Sequence, residues 1–453
     1  MPRSETATEL VYESVYVSPT RDSFKLSFRI DGDPYVRTFS WREPLVQISL
    51  ETIESVAFHL GLFVLMDYDQ QHMPDRVIIR AGQMTREQIE FYIKVRNLYA
   101  RQHLFEKRAP MDILSRDISA TGPRRGCDSR SLASDKFIIG FGAGKESTFL
   151  SLMTRRHGLS PLWLMRTRDQ HLVPMTSTMN SAGIAELGIV VHDDVEQFYR
   201  NPFIDDDAYY SRTHTGISMF VFLMILFALE HDISYVGLGN EKGAEDPYGV
   251  WDGKVVNHQF DKTRAYRLLL QSYIGDHVAE NIRLFSPLEG VYEYQLSRSM
   301  KTFEAREFAD ITSCNYATPE SRWCCQCPKC AWTFSLLSLA FGQDRARSIV
   351  GADLFQRVGL FRDVLDPNIR KPFECVGERP EIWLVLHDCI EQGQTGSVLD
   401  YFSGHHRPDF ARYVDQYRMR YTAVYPNDAL PGFLQPMLAD IGRPWSFIRR
   451  TRI

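Results

Sequence analysis

From residue 137 onward, the chain alternates short apolar runs with longer stretches that have helical periodicity. The apolar runs have the length of buried strands and cover 137–141, 161–165, 189–192 and 233–238. Between them, 147–156 and 216–229 have the length and spacing of helices. Short apolar strands that alternate with helices form βαβ units, whose parallel strands share one sheet. The sequence therefore predicts an α/β fold with a doubly wound parallel sheet.

The first 110 residues have a different pattern, in which strands come before helices. Apolar residues alternate with polar ones over 24–30, as in a half-buried strand, and Asp31-Gly32 then supplies a hairpin turn. Helical spacing of apolar residues predicts an amphipathic helix over 51–66. These patterns are typical of an α+β domain.

These changes of pattern divide the chain into four predicted parts. The parts are an N-terminal α+β domain (1–110), a polar linker (111–134), the α/β domain (135–345) and a mainly helical C-terminal region (346–453). The last part is assigned from helical patterns at 380–392 and 409–422. A length of 453 residues suits two or three domains at roughly 150 residues each.

Composition excludes several classes of protein. Apolar residues make up 44% of the chain and charged residues 24%, which excludes a disordered or fibrous protein. The net charge of −5 argues against a protein that coats nucleic acid. The longest strongly apolar run, 217–229, is too short to span a bilayer, and the N-terminus has no apolar signal segment. We therefore expect a cytoplasmic protein with no membrane insertion; the sequence does not indicate the oligomeric state.

Five of the eight cysteines lie between Cys314 and Cys330. Cys314, Cys324, Cys327 and Cys330 have the spacing C-x9-C-x2-C-x2-C, which in a reducing compartment indicates a metal site rather than disulfides. Four thiolates satisfy tetrahedral Zn²⁺ and leave no position for a substrate, so we expect a structural zinc with Cys325 pointing away. An iron–sulfur cluster and a set of reduced cysteines are the alternatives.

The first apolar run of the α/β pattern leads into a glycine-rich loop at 140–147. In open α/β sheets, ligands bind at the carboxyl ends of strands, and backbone N–H groups at a helix N-terminus bind anions. The residues predicted to bind phosphate groups here are Gly142, Gly144, Lys145, Glu146 and Ser147, with Lys145 expected to be an exposed loop lysine. A glycine turn that binds nothing is the alternative.

A second glycine-containing loop, Gly239-Asn240-Glu241, follows the apolar run at 233–238. Asn240 is predicted to bond a sugar or a phosphate, and Glu241 to hold a metal ion. An ordinary strand-to-helix turn is the alternative. Asn257-His258 forms a further polar cluster beyond this loop.

Residues 142–147 resemble the pyrophosphate loop Ser-Gly-Gly-x-Asp-Ser of the N-type ATP pyrophosphatases. Gly144 and Ser147 match it, whereas Gly142, Ala143 and Glu146 replace the serine, the first glycine and the aspartate. Together with the cysteine spacing, the loop makes 135–345 similar to the 7-cyano-7-deazaguanine synthases.

The layout of nearly the whole chain resembles the UDP-N-acetylmuramoyl-L-alanyl-L-glutamate epimerases of bacterial cell-wall synthesis. Four short motifs carry this resemblance: Gly-x-Gly-Lys-Glu-Ser at 142–147, Gly-Asn-Glu at 239–241, Asn-His-Gln at 257–259 and Cys-Pro-Lys-Cys at 327–330. The resemblance implies a sheet of the adenine-nucleotide α-hydrolase type. It also implies ATP, Mg²⁺, a structural Zn²⁺ and a UDP-MurNAc-dipeptide substrate.

The activity implied is conversion of the terminal L-glutamate to D-glutamate through an acyl-adenylate, with release of AMP and diphosphate. Lys145 would stabilise the departing pyrophosphate, and Glu146 or Glu241 would hold Mg²⁺. The candidates for proton transfer are His214, His258, Cys127 and Tyr248, of which His258 is favoured. The candidates for contact with the UDP-sugar are Arg124, Arg125, Arg166, Arg168 and Arg264.

Two other functions fit the same motifs. One is another adenylating enzyme of the same superfamily, which forms an amide or nitrile or thiolates a nucleobase. The other is a non-catalytic, zinc-stabilised binding module, because the serine and first glycine of the phosphate loop are replaced.

Overall fold

A computed structural model of the chain describes residues 9–72, 74–108, 117–127, 132–167, 172–184, 188–194, 215–314, 316–318, 321–372 and 374–443. The strands in these ranges are β1 (Glu9–Val17), β2 (Ser23–Ile30), β3 (Asp33–Ser40), β4 (Arg76–Ile79), β5 (Asp117–Ala120), β6 (Ala133–Gly140), β7 (Leu162–Thr167), β8 (Gly188–Asp194), β9 (Ile233–Gly237), β10 (Gly249–Trp251), β11 (Lys254–Val256) and β12 (Arg283–Phe285).

The helices in the same ranges are α1 (Leu50–His72), α2 (Arg86–Lys107), α3 (Lys145–Arg156), α4 (Leu172–Ser181), α5 (Gly216–Glu230), α6 (Arg264–His277), α7 (Glu293–Met300), α8 (Pro328–Phe341), α9 (Gln343–Val350), α10 (Val358–Leu365), α11 (Arg379–Glu391), α12 (Ser397–His405), α13 (Arg407–Phe410), α14 (Val414–Thr422) and α15 (Gln435–Ile441). Short 3₁₀ turns include Lys242–Glu245 and Phe260–Lys262. Within the described residues, no helix has the length and hydrophobicity needed to cross a bilayer.

A large, mostly parallel sheet forms the centre of the molecule. Its strand order is β12-β9-β6-β7-β8-β3-β2-β1-β4-β5, and the five strands from β12 to β8 are parallel. Counted along the chain from β6, these five have the order 3-2-1-4-5 from β8 to β12, which is a doubly wound order. The direction of winding reverses between β6 and β9, so the loops after these two strands meet at the switch point.

The sheet continues from the α/β strands into the N-terminal part of the chain. Strand β3 pairs antiparallel with β8, and Arg37 makes a bidentate ion pair with Asp193 across this junction, at 2.8 and 2.7 Å. Residues 111–134 differ from the expected loop, because they contain β5 and the start of β6. Strands β2 and β3 pair antiparallel on either side of Asp31-Gly32, so the predicted hairpin turn is confirmed. The division into domains stays a prediction.

Two hydrophobic cores cover the two faces of the sheet. Alternate residues of β6 show the division, because Ile138 packs with α1 and α5 while Phe137 and Ile139 pack with α3, α7 and α8. The C-terminal helices extend the second core. The predicted helices over 51–66 and 216–229 are confirmed as α1 and α5. The pairing of β3 with β8 was not predicted, since β8 lies more than 140 residues further along the chain and carries no local signal for it.

Candidate active site at the carboxyl ends of the strands

The loop after β6 presents its backbone at the switch point. Ala143 lies in the left-handed region with φ of +56°, and Gly144 is the N-cap of α3 without a side chain to cap it. A Cβ added at Gly142 would have no atom within 4 Å, so this part of the loop faces open space. The carbonyl of Ala143 accepts a hydrogen bond from Thr312 N at 2.8 Å, which fixes the loop from behind. The first turn of α3 therefore has no side chain of the N-cap residue bonded to its N–H groups.

Lys145 is buried, with 4% of its surface exposed, whereas an exposed loop lysine was expected. Its Nζ lies 2.5 Å from Glu146 Oε1 and 2.6 Å from Glu293 Oε1. Burial lowers the pKa of Lys145, but the two carboxylates outweigh it and raise that pKa above its usual value. Trp332 Nε1 donates to the other oxygen of Glu293 at 2.8 Å. The lysine turns inward because two carboxylates face it from α3 and α7.

The loop after β9 directly contacts the glycine-rich loop that follows β6. A Cβ at Gly239 would lie 3.4 Å from the Cβ of Glu146, so glycine permits this close approach. Glu241 is only 8% exposed, and among the described residues its carboxylate has no hydrogen bond or ion pair. Burial, reinforced by the charge of Glu293, raises the pKa of Glu241 to about 7. Glu241 therefore changes charge near neutral pH.

Sequence reasoning missed several charged residues of this cluster. Lys262 Nζ donates to Gln259 Oε1 at 2.9 Å and lies 3.6 Å from Cys375 Sγ. Burial raises the pKa of Asp261 to about 7, and Tyr99 donates to this carboxylate at 3.3 Å. Lys262 follows the predicted Asn257-His258-Gln259 cluster closely, so that cluster was a usable signal. No local sequence pattern marks Glu293 or Cys375.

A small pocket opens between β9, β12, α5 and α6. Its polar lining consists of Asn240, Asp261, Lys262, Arg267, Ser286 and Glu289. Ser286 donates to the backbone carbonyl of Asn240 at 2.6 Å, which holds the Gly-Asn-Glu loop against β12. The predicted residue Asn240 and the unpredicted Lys262 therefore line the same space.

His258 lies beside this cluster as an uncharged ring. Burial, reinforced by the charges of Lys262 and Lys371, lowers the pKa of His258 to about 3. Its ring stands edge-on to Tyr248, with 6.3 Å between the ring centroids. Asn257 has a structural role, because its side chain donates to Ala244 O at 2.8 Å and ties the two segments together.

Three of the candidate arginines are already ion-paired. The pairs are Arg125 with Glu54 at 2.8 Å, Arg166 with Asp193 at 3.8 Å, and Arg264 with Asp428 at 2.7 Å. Arg124 is exposed, and Cys127 packs partly buried against the first core. Arg168 and His214 lie outside the described residues. Among the described residues, Arg124, Arg125, Arg166, Arg264 and Cys127 do not contact Lys145.

The four cysteines predicted to bind metal converge. The sulfurs of Cys314, Cys324, Cys327 and Cys330 all lie within 4.8 Å of one another. Tetrahedral zinc with Zn–S bonds of about 2.3 Å places its sulfurs about 3.8 Å apart. The observed Sγ–Sγ distances of 3.8 Å for Cys324–Cys330 and 3.5 Å for Cys327–Cys330 agree with this. The cluster therefore has the dimensions of a metal site.

Backbone N–H groups point at these sulfurs, as they do around thiolates. Cys324 N donates to Cys314 Sγ at 3.3 Å, and Cys330 N donates to Cys327 Sγ at 3.4 Å. Cys325, in the left-handed region with φ of +56°, turns its sulfur toward Val350 O at 3.7 Å. The prediction that Cys325 points away from the other four is confirmed.

Two segments of the chain match family models. Residues 214–287 match the MurL N-terminal domain and residues 310–399 match the MurL C-terminal domain. The first segment contains Glu241 and Lys262, and the second contains the four cysteines and Cys375. No solved structure matches the chain.

The chain is similar to three bacterial proteins that carry the name UDP-N-acetyl-alpha-D-muramoyl-L-alanyl-L-glutamate epimerase. The protein of Micromonospora sp. is 28% identical over 282 residues, which are 60% of this chain and 60% of that protein. The protein of Salinispora tropica is 33% identical over 164 residues, 35% of this chain and 36% of that protein. The protein of Xanthomonas oryzae pv. oryzae is 25% identical over 253 residues, 54% of each. The matches thus span from about a third to three fifths of these relatives.

Proposed function

We propose that the chain is an ATP-dependent epimerase that converts the terminal L-glutamate of UDP-MurNAc-L-Ala-L-Glu to D-glutamate. One observation carries this proposal. The segments that match the two MurL domains supply Glu241, Lys262 and the cysteines, and the fold brings Glu241 and Lys262 together with Lys145 at one edge of the sheet. The names of the three relatives support the same substrate.

The strand order supports a sheet of the adenine-nucleotide α-hydrolase type. Gly142, Gly144 and Ser147 would bind ATP phosphates from the N-terminus of α3, and Gly239 and Asn240 would close over the nucleotide from β9. The uncapped first turn of α3 and the open space at Gly142 suit an anion there. These residues would together form a phosphate site between two loops that are in contact with each other.

Adenylation explains why an epimerase would use ATP. The α-proton of a glutamate beside an ionised carboxylate is weakly acidic, because its removal builds a dianion. Transfer of AMP to that carboxylate removes the charge, pyrophosphate leaves, and the α-proton becomes far easier to abstract. Water then releases AMP from the epimerised product. Lys145 would stabilise negative charge on the departing pyrophosphate.

The carboxylates around Lys145 suit a divalent cation. Glu146 and Glu241 offer oxygen ligands, and the carboxylate of Glu241 is buried without a partner among the described residues. Bound Mg²⁺ would neutralise the phosphates and the excess negative charge of this cluster. For proton transfer, His258 would act as a neutral ring, because its pKa is lowered to about 3.

The cysteine cluster fits structural zinc by its donor set and its sulfur distances. Cys314, Cys324, Cys327 and Cys330 would complete a tetrahedral site and leave no position for substrate. The metal would influence the active site indirectly. Helix α8 starts within the cysteine cluster and carries Trp332, whose Nε1 donates a hydrogen bond to Glu293. Zinc would thereby fix the carboxylate that orients Lys145.

The proposal is tested by incubating the purified protein with ATP, Mg²⁺ and the UDP-muramoyl dipeptide. Chiral analysis of glutamate after acid hydrolysis should show D-glutamate, with AMP and diphosphate formed. AMP formed only when ammonia or a sulfur donor is added would instead indicate another adenylating enzyme. Absence of AMP under all these conditions would indicate a binding module.

A further inference from the structure

Cys375 and Lys262 form a contact that the roles assigned above do not use. Cys375 Sγ lies 3.6 Å from Lys262 Nζ, and Gln259 Oε1 accepts a second hydrogen bond from the same ammonium group at 2.9 Å. Cys375 is a partly exposed residue. Lys262 also lines the pocket that contains Asn240. The thiol therefore lies at the edge of the candidate active site.

The charges around Cys375 favour its thiolate form. Burial raises the pKa of this thiol, but the charges of Lys262 and Lys329 outweigh burial and the opposing charge of Glu293, so the pKa lies below its usual value. Lys262 comes from the 3₁₀ turn Phe260–Lys262 and Lys329 from α8. A thiolate beside an ammonium group is the form that accepts protons and attacks electrophiles.

A second and independent feature marks the same place as one that receives a ligand. Glu241 is more than nine-tenths buried, and within the described ranges its carboxylate has no hydrogen bond or ion pair. The charges of Glu241 and Lys262 each shift the pKa of the other, so the two groups lie near one another. A buried carboxylate is costly to leave uncompensated, which indicates that a bound group completes the site.

We propose that Cys375 is the base that removes the α-proton of the adenylated glutamate, and that Lys262 is the positioning residue that holds it as a thiolate. This inference rests on the proposed function. The C–H bond breaks as the S–H bond forms, and the electron pair moves to the carbonyl oxygen to give an enolate. A proton from solvent, delivered to the opposite face, completes the epimerisation. The thiol then returns its proton to water.

The test separates proton transfer from adenylation. Cys375→Ser and Cys375→Ala should still catalyse substrate-dependent exchange of labelled pyrophosphate into ATP, while epimerisation falls by about 10²–10⁴-fold, the usual contribution of a general base. Incorporation of solvent deuterium at the α-carbon should fall equally. Cys325→Ser, whose sulfur points toward Val350 O, is the matched control and should keep both activities.

Epimerisation by Cys375→Ser at a rate within tenfold of wild type would overturn the inference. Loss of pyrophosphate exchange together with epimerisation would also overturn it, because adenylation needs no base at the α-carbon. A wild-type protein that neither exchanges pyrophosphate nor epimerises would instead overturn the proposed function.

A measurement on the unmodified protein needs no substrate. The rate of alkylation of Cys375 by iodoacetamide, followed by mass spectrometry of its peptide across pH, should report an apparent pKa below that of an ordinary thiol. Lys262→Met should shift this apparent pKa upward. An ordinary pKa that the Lys262 substitution leaves unchanged would show that the two groups do not form a thiolate–ammonium pair.

Discussion

At two of the places where the described part of the molecule buries charge, it does so in different ways. In the N-terminal part, Arg96 makes a bidentate pair with Asp69 at 2.9 and 3.0 Å, with side chains 2% and 0% exposed. At the carboxyl ends of the strands, Lys145 and Lys262 face at least four carboxyl groups: Glu146, Glu241, Asp261 and Glu293. We call the first the N-terminal pair and the second the carboxyl-edge cluster.

The difference between them separates a structural charge from one that is ready to react. The N-terminal pair is balanced, and the planar fork of Arg96 matches both oxygens of its partner. The carboxyl-edge cluster has an excess of acid, so the pKa values of Glu241 and Asp261 rise to about 7. Such a cluster can gain a proton or a cation, whereas the two charges of the N-terminal pair already compensate each other. Clusters of perturbed pKa values are characteristic of functional sites.

Loss of the metal site should have the largest effect, and it should act on the carboxyl-edge cluster. Cys324→Ser removes one of four ligands, and metal affinity at such a site is folding energy, of about 10–16 kcal/mol for zinc bound to zinc-finger peptides. We expect a loss of bound zinc, a lower Tm and little AMP formation, because α8 would no longer hold Trp332 against Glu293. Elemental analysis, calorimetry and the AMP assay measure these three effects.

Cys325→Ser is the matched control for that substitution. Its sulfur lies outside the group of four, so zinc content and Tm should stay at wild-type values. A metal-free preparation of the unmodified protein that is folded and active would contradict the assignment. If the metal were iron with sulfide, the thiolation alternative would gain support instead.

Breaking the N-terminal pair should cost stability and leave the chemistry intact. Arg96→Met removes the partner of a fully buried carboxylate, and loss of one partner of such a pair typically costs about 3–5 kcal/mol. Tyr92 still donates to Asp69 at 3.3 Å, which supports the lower end of that range. Urea denaturation measures the free energy of unfolding. A fall in AMP release per folded molecule would mean that this pair also shapes the active site.

The corresponding substitution in the carboxyl-edge cluster should impair the chemistry and cost less stability. Lys145→Met keeps the volume of the side chain but removes the charge proposed to stabilise the pyrophosphate, and loss of one such contact typically lowers turnover by about 10²–10³-fold. We expect a smaller loss of stability than for Arg96→Met, because Glu146 and Glu293 can take up protons when they lose their cation. AMP release by this variant at the wild-type rate would refute the assigned nucleotide site.

The same contrast explains what the sequence could predict. Strand–helix alternation, glycine loops and cysteine spacing are local patterns, so the doubly wound strands and the convergence of the four cysteines were predicted correctly. Lys145 was expected to be an exposed loop residue. It is buried instead, paired with the carboxylates of Glu146 beside it and of Glu293 almost 150 residues away. Cys375 carries no local signal in the sequence, since only tertiary structure brings it to Lys262.

The smallest predicted effect is a pH dependence of stability caused by Glu241. Its pKa rises from 4.5 to about 7 on folding, because burial and Glu293 disfavour the charged form. Between these two pH values, the folded protein binds more protons than the unfolded chain, so stability falls as pH rises. Glu241→Gln keeps the shape and removes the charge. Without ATP or Mg²⁺, we expect it to stabilise the protein by about 1–3 kcal/mol at pH 8 and to change little at pH 4.

Denaturant titrations of both proteins across this pH range measure the difference between their unfolding free energies. Asp261 and Glu374 also have pKa values raised to about 7, so the stability of both proteins should decline with pH, and only the difference reports on Glu241. A constant difference would mean that the charged carboxylate of Glu241 is compensated in the folded protein. The carboxyl-edge cluster would then be as balanced as the N-terminal pair, and its distinction as the reactive one would rest on Lys262 and Cys375 alone.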